Sequence, residues 1–174
     1  MEVLDTIFEV IDMRSFSNLW FWIALAVMWS STSHWVLGIP HDMIQRARRE
    51  GGQAMEDVED LARINTGRIL SIVDQGALIL TALGCFWLTV LAGLGFWYDV
   101  EFAQALFLLS FPMSLVVWLS IRASRRINAG ENRDAALCRR LTIHRRWTQG
   151  IGMVAIFVTA MYGSWQNLSV SILH

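Results

Sequence analysis

The chain has 174 residues, of which 55% are hydrophobic and only 17% charged, and its mean hydropathy is +0.43. This composition is too apolar for an ordinary soluble domain, so we expect a membrane protein. The two cysteines, Cys85 and Cys138, form neither a disulfide framework nor a CxxC-type metal or iron–sulfur motif. The net charge of −1 argues against nucleic-acid binding driven by overall charge.

The first predicted element is an interfacial helix over residues 1–14. Apolar residues alternate there with acidic ones so that each set forms a stripe at helical spacing. The simplest interpretation is a tethering helix whose acidic face is solvated, and the alternative is contact with a basic partner. The acidic stripe consists of Glu2, Asp5, Glu9 and Asp12.

Four apolar stretches follow, each long enough for the ~20 residues that a helix needs to cross a ~30 Å hydrocarbon core. They cover about residues 17–38, 70–97, 102–121 and 147–168. A tight turn at 98–101 joins the second and third, whereas the connections 39–69 and 122–146 are long enough for helical extensions of the spans. The sequence therefore predicts an all-α, single-domain, integral membrane four-helix bundle.

Arginine placement predicts the orientation of this bundle, because basic residues flanking spans are retained in the cytoplasm. The chain has no lysine, and thirteen of its fourteen arginines lie in the two long connections. Both connections should therefore be cytoplasmic, with both termini and the 98–101 turn in the periplasm of a bacterial inner membrane. Tryptophan and tyrosine near both ends of the spans agree with this orientation.

The 122–146 connection has a net charge of +6, while acidic residues cluster at 56–60 in the other connection. We expect the two connections to pair electrostatically, and attraction to anionic lipid head groups is the alternative. The arginines predicted to contact a partner or anionic lipid are Arg122, Arg125, Arg126, Arg139, Arg140, Arg145 and Arg146.

Polar residues within the spans are the candidate intramembrane site, because ionisable groups at membrane depth are costly. Ser31 and His34 end span one, and Asp74 and Gln75 begin span two, both in the predicted cytoplasmic half. A contact between His34 and Asp74 would suit proton transfer or a polar ligand head group. A hydrogen bond that only joins two helices is the simpler alternative.

A haem b site is a further alternative, because a helical bundle can hold the macrocycle between two histidines. Only His34 and His144 approach the required placement. We expect no metal site and no cofactor, and keep haem b or a quinone near His34 as the alternative.

Span four carries small residues at i, i+4 and i+8, namely Ala155, Thr159 and Gly163. Such a face permits close helix contact, either within the bundle or against another subunit.

Three segments resemble a known family: residues 11–20 (IDMRSFSNLW), 33–38 (SHWVLG) and 111–114 (FPMS). They are similar to small four-span inner-membrane proteins of alphaproteobacteria, sometimes described as a component of the Suf iron–sulfur assembly complex. The resemblance implies a bacterial inner membrane in organisms rich in respiratory and photosynthetic complexes.

The sequence contains no nucleophile with a base and an orienting group, no carboxylate pair at mid-depth and no phosphate-binding glycine loop. We therefore predict a non-catalytic accessory or assembly subunit of a larger inner-membrane complex. A small electron-transfer or proton-handling protein that uses His34 and Asp74 is the alternative.

Overall fold

The computed structural model describes Phe16 and residues 18–172, with side chains as far as residue 168. The predicted N-terminal helix and its acidic residues Glu2, Asp5, Glu9 and Asp12 lie outside the described residues.

The described chain is all-helical apart from one short hairpin, which confirms the all-α prediction. In chain order the elements are α1 (Leu19–His34), β1 (Trp35–Val36), β2 (Ile39–Pro40), α2 (His41–Glu50), α3 (Gly52–Ala92), a π-helical turn (Gly93–Trp97), α4 (Glu101–Asn128) and α5 (Asp134–Ile172).

Helix α1 is capped at its start by Asn18, whose side chain accepts a hydrogen bond from the backbone N–H of Trp20 at 2.9 Å. It ends where the backbone becomes extended at Trp35. The strands then pair antiparallel across Leu37 and Gly38, which both have positive φ. The sequence predicted only that a long connection begins after residue 38, and the hairpin instead folds α2 back towards the end of α1.

Helices α3 and α5 are much longer than a membrane span. At 1.5 Å per residue, the 41 residues of α3 extend about 61 Å and the 39 residues of α5 about 58 Å. Gly76 interrupts α3 with a kink (φ −133°, ψ 15°). The predicted helical extensions therefore continue into the apolar stretches that follow them, in α3 with a kink at Gly76.

Helix α4 packs against both α3 and α5. One core joins α1, α4 and α5 through Leu25, Trp29, Val116 and Ala155. A second core lies at the end of the molecule formed by residues 39–68 and 122–146, which we call the arginine end because thirteen of the fourteen arginines belong to it.

The arginine end is held together by apolar packing and not by the predicted attraction between its two connections. Val58 and Ala62 of α3 are buried with Leu137 and Leu141 of α5. The ion pairs within the described residues are local, namely Arg46–Glu50, Arg63–Asp60 and Arg140–Glu131. Between the acidic cluster and α5, the Asp134 N–H donates to Glu59 Oε1 at 2.7 Å.

The opposite end is organised by Phe16, which is 2% exposed. Its N–H donates to Glu101 Oε1 at 2.7 Å, and its ring meets the ring of Tyr162 edge-on at 5.5 Å. Tyr162 in turn lies 6.2 Å from the ring of Phe96. The start of α1, the turn between α3 and α4 and the distal part of α5 therefore meet at one level.

Two helices are long and apolar enough to cross a membrane: Gly52–Trp97, which is α3 with its π-helical turn, and α4. Only 6% and 22% of their most apolar windows are buried inside the fold. A core helix of a soluble protein would bury most of such a window, so these surfaces suit lipid or another protein chain.

Candidate functional site

The structure does not bring the predicted intramembrane site together. His34 is exposed at the end of α1, where its ring lies edge-on to Trp35. Asp74 and Gln75 are exposed on α3, and Gln75 Nε2 donates to Ser71 Oγ at 3.1 Å. Ser31 is also exposed. Within the described residues, no hydrogen bond joins His34 to Asp74.

The reason lies in helix pairing. The sequence prediction paired spans one and two, but α1 packs against α4 and α5 instead. Helix α3 approaches this region through Asn65, which lies beside Gly38 of the hairpin. Asp74 is two and a half turns further along α3, about 13 Å away at 1.5 Å per residue.

A different polar cluster, formed by Ser33, His41, Gln45 and Arg145, joins α1, α2 and α5. Arg145 donates through Nε to the Ser33 carbonyl at 3.2 Å and through Nη1 to His41 Nε2 at 2.8 Å. Gln45 Nε2 lies 2.9 Å from the same His41 nitrogen. A guanidinium only donates, so His41 is neutral and carries its proton on Nδ1.

Burial, followed by the positive charge of Arg145, lowers the pKa of His41 and agrees with this neutral state. His41 Nδ1 is buried and has no hydrogen-bond partner among the described residues. The sequence did not predict this cluster, because span one was expected to end at residue 38 and His41 falls in the connection that follows it. The hairpin reverses the chain, and the i, i+4 spacing of His41 and Gln45 was the available signal.

His144 faces α4 and not His34. It is 7% exposed, and its Nε2 lies 3.3 Å from Ser120 Oγ. Burial lowers the pKa of His144, which lies outside the predicted spans. The cavity beside it, of about 370 Å³, is lined by Trp118, Arg122 and other residues of α4 and α5 and does not include His34.

The small-residue face of α5 is used inside the fold. Ala155 belongs to the core with Leu25 and Trp29, and Thr159 is 1% exposed. A Cβ added to Gly163 would lie 3.0 Å from Phe16 Cδ1. Of the two alternatives for this face, packing within the bundle is therefore the one that the structure adopts, and these residues leave no room for another subunit.

The seven arginines predicted to contact a partner or lipid have different surroundings. Arg140 forms a two-pronged ion pair with Glu131, and Arg145 belongs to the polar cluster with His41. The Arg122 guanidinium lies 5.5 Å from the Trp118 ring centre. The remaining four, Arg125, Arg126, Arg139 and Arg146, are exposed.

A basic cavity of about 490 Å³ lies between α2, α3 and α5 at the arginine end. Arg48, Arg139 and Arg146 line it together with Met55 and Cys138. Burial raises the pKa of the Cys138 thiol, whose sulfur lies 3.8 Å from the sulfur of Met55. This cysteine is therefore a protonated packing group at neutral pH.

Helix α3 presents the most extensive uncovered surface. Every residue from 77 to 87 is exposed, including Leu78 at 85% and Phe86 at 68%. At the end of this stretch, Trp87 Nε1 donates a hydrogen bond to Ser110 Oγ of α4 at 3.3 Å. We call residues 72–87 the α3 face, and it includes the exposed carboxylate of Asp74.

Comparisons of the chain with protein-family models, with curated proteins and with solved structures found no match. In the part of the chain that the structure describes, no group of three or more histidine, cysteine, aspartate or glutamate side chains is placed to hold a metal ion.

Proposed function

We propose that this chain is a four-span membrane protein that serves as a non-catalytic accessory or assembly subunit of a larger membrane complex, with the α3 face as its docking surface. The observation that carries the proposal is the exposure of the α3 face, in which every residue from 77 to 87 is exposed around the whole helix and Asp74 is exposed just before them.

If α3 and α4 cross the membrane, α1 and α5 cross it as well, because both extend between the same two ends of the fold as α4. Phe16, just before α1, bonds to Glu101 at the start of α4. At the other end of α1, the Ser33 carbonyl meets Arg145. Helix α5 runs from that arginine to Tyr162, beside Phe96 at the α3–α4 turn.

The outer surface of α5 supports the same conclusion. Met153, Val154, Phe157 and Met161 are each between 59% and 68% exposed. Apolar side chains at this density on an open helix face need lipid or a partner chain to cover them.

Asp74 argues that part of the α3 face meets protein and not lipid alone. Carboxylates within membrane spans almost always face a bundle interior or pair with another polar group. Asp74 lies four residues into the predicted span and is exposed in the described part of the fold, and a polar group on a partner chain would supply such a pairing.

The arginine end faces the cytoplasm in this proposal, and both chain termini face the periplasm of a bacterial inner membrane. A respiratory or photosynthetic assembly is the proposed host, which rests on the family resemblance of the sequence.

The proposal is tested by mild-detergent extraction from native membranes, followed by native gel electrophoresis and mass spectrometry. We expect the chain to migrate well above its own 19.8 kDa with a co-purifying membrane subunit. Asp74→Asn should weaken this association about 3- to 16-fold, the range that corresponds to a single interhelical polar contact in membranes.

Glu56→Gln is the matched control, because Glu56 is an exposed carboxylate on the same helix but lies at the arginine end. It should leave the association unchanged. Migration of the wild-type chain alone would contradict the accessory role. A Soret absorption band that disappears in His34→Ala would instead favour the electron-transfer alternative.

A further inference from the structure

A long groove runs between α4 and α5 on the outside of the fold. Its first part has a volume of about 500 Å³ and is lined only by apolar residues and a glycine, including Phe111, Leu115, Trp147, Val154 and Val158. In the folded chain this part of the groove is open at its outer side, because Phe111, Leu115 and Val154 are exposed.

The second part of the groove, of about 370 Å³, has a different chemistry. Arg122, Arg126 and Arg140 line it together with His144 and the two indoles of Trp118 and Trp147. No carboxylate belongs to its described lining, so this part is basic.

The two parts adjoin each other at Trp147, which lines both of them. On α4, the lining positions 111, 115, 118, 122 and 126 recur every three or four residues and therefore share one helix face. The positions 143, 147, 151, 154 and 158 do the same on α5. The groove thus changes from apolar to basic as it approaches the arginine end.

The length of the apolar part matches one leaflet of a membrane. Its lining spans residues 107–115 on α4 and 147–158 on α5, about 12 and 16 Å at 1.5 Å per residue. Half of a ~30 Å hydrocarbon core is about 15 Å. In the proposed orientation the predicted spans end at residue 121 on α4 and begin at residue 147 on α5, so the basic lining at Arg122, Arg126 and Arg140 lies at the depth of the head groups.

The positive charge in the basic part is only partly neutralised. Glu131 is engaged by Arg140 in their two-pronged ion pair. Arg122 lies over Trp118, and neither it nor Arg126 forms an ion pair with any carboxylate of the described chain. A guanidinium on an aromatic ring keeps its outer N–H donors free for phosphate oxygens.

We propose that this groove binds one anionic phospholipid from the leaflet at the arginine end. The phosphate lies between Arg122 and Arg126, and one acyl chain lies along Phe111, Leu115 and Val154. This inference is independent of the accessory role, because no residue of the α3 face lines the groove.

The test uses the full chain in nanodiscs of phosphatidylcholine and phosphatidylglycerol at a 4:1 ratio, followed by native mass spectrometry. We expect one retained phosphatidylglycerol per chain. The double variant Arg122→Gln with Arg126→Gln should lower its retention relative to phosphatidylcholine about 10- to 30-fold, as expected for two arginines at a membrane surface.

The matched control is Arg49→Gln with Arg68→Gln, which removes two exposed arginines of the arginine end that do not line the groove. It should retain the lipid. Equal loss in both double variants would show diffuse surface attraction and overturn the proposal.

A second variant tests the acyl chain. Gly150 lines the apolar part, and a Cβ added there would meet nothing within 4 Å, so the side chain of Gly150→Leu enters open space in the groove. It should lower phosphatidylglycerol retention, whereas Gly84→Leu, at an equally open position on α3, should not. Full retention in Gly150→Leu, or a quinone mass in place of the phospholipid, would overturn the proposal.

Discussion

At the scale of single residues, hydroxyl groups of this fold mostly bond to their own helix. Thr32, Thr66, Ser120 and Thr142 each donate to the carbonyl four residues earlier, at 2.7 to 2.8 Å. This satisfies the hydroxyl without a partner from another helix. The imidazoles of His41 and His144 also make tertiary contacts, with Arg145 and Ser120 respectively.

These two histidines predict that the fold loses stability on acidification. Their pKa values in the folded chain lie below the ordinary value of 6.5. The unfolded chain therefore binds more protons as the pH falls through 6.5, and stability present above that pH decreases below it. The free energy of unfolding should fall by up to about 1.4 kcal/mol per pH unit for each imidazole.

Thermal unfolding of the detergent-solubilised chain between pH 8 and pH 5, followed by circular dichroism, measures this dependence. His144→Gln should flatten the loss of stability between pH 6.5 and 5 relative to the wild type, because it removes a buried imidazole with a lowered pKa. The same slope in His144→Gln, His41→Gln and the wild type would contradict the prediction.

At the scale of elements, the contact between α1 and α5 depends on Gly152. A Cβ at this position would lie 2.7 Å from Cε3 of Trp29, which is itself 4% exposed. Gly152→Ala should therefore lower the free energy of unfolding by about 1–3 kcal/mol, the usual cost of overpacking. A Cβ at Gly150, two residues earlier, would meet nothing within 4 Å. Gly150→Ala should therefore raise the free energy of unfolding by about 0.5–1 kcal/mol, because alanine is favoured over glycine within a helix.

Chemical denaturation of both variants in the same detergent measures the change in the free energy of unfolding. The prediction requires opposite signs for the two variants. If Gly152→Ala were as stable as Gly150→Ala, the close approach of α1 to α5 through Trp29 would be incorrect.

The helices themselves could be predicted from sequence, because apolar stretches and their charged extensions have a clear length and period. The apolar stretch at 70–97 and the helical extension predicted within the connection before it correspond to one helix, Gly52–Ala92, with its π-helical turn. The contacts between helices could not be predicted, because the hydrophobic period of a helix indicates which face is apolar but not which other helix packs on that face. For this reason the sequence predicts a contact between His34 and Asp74, but not the contact of His41 with Arg145 or that of His144 with Ser120.

At the scale of the whole molecule, helix packing makes a topological prediction that distinguishes four spans from two. If only α3 and α4 crossed the membrane, the distal part of α5 would lie on the side of the arginine end. Because Tyr162 contacts Phe96 and Phe16 at the opposite end, residue 164 should share a compartment with Asp99.

Single-cysteine labelling tests this arrangement in intact cells, after Cys85 and Cys138 are changed to alanine. Asp99→Cys and Ser164→Cys should react with a membrane-impermeant maleimide added from outside, because the arginine end is retained in the cytoplasm. Gln53→Cys and Asn132→Cys, both exposed at the arginine end, should react only after the membrane is permeabilised. Protection of position 164 together with labelling at position 99 would indicate only two spans. Protection of position 99 would indicate the opposite orientation in the membrane. Labelling at both 99 and 164, with protection at 53 and 132, requires that α5 cross the membrane together with α4.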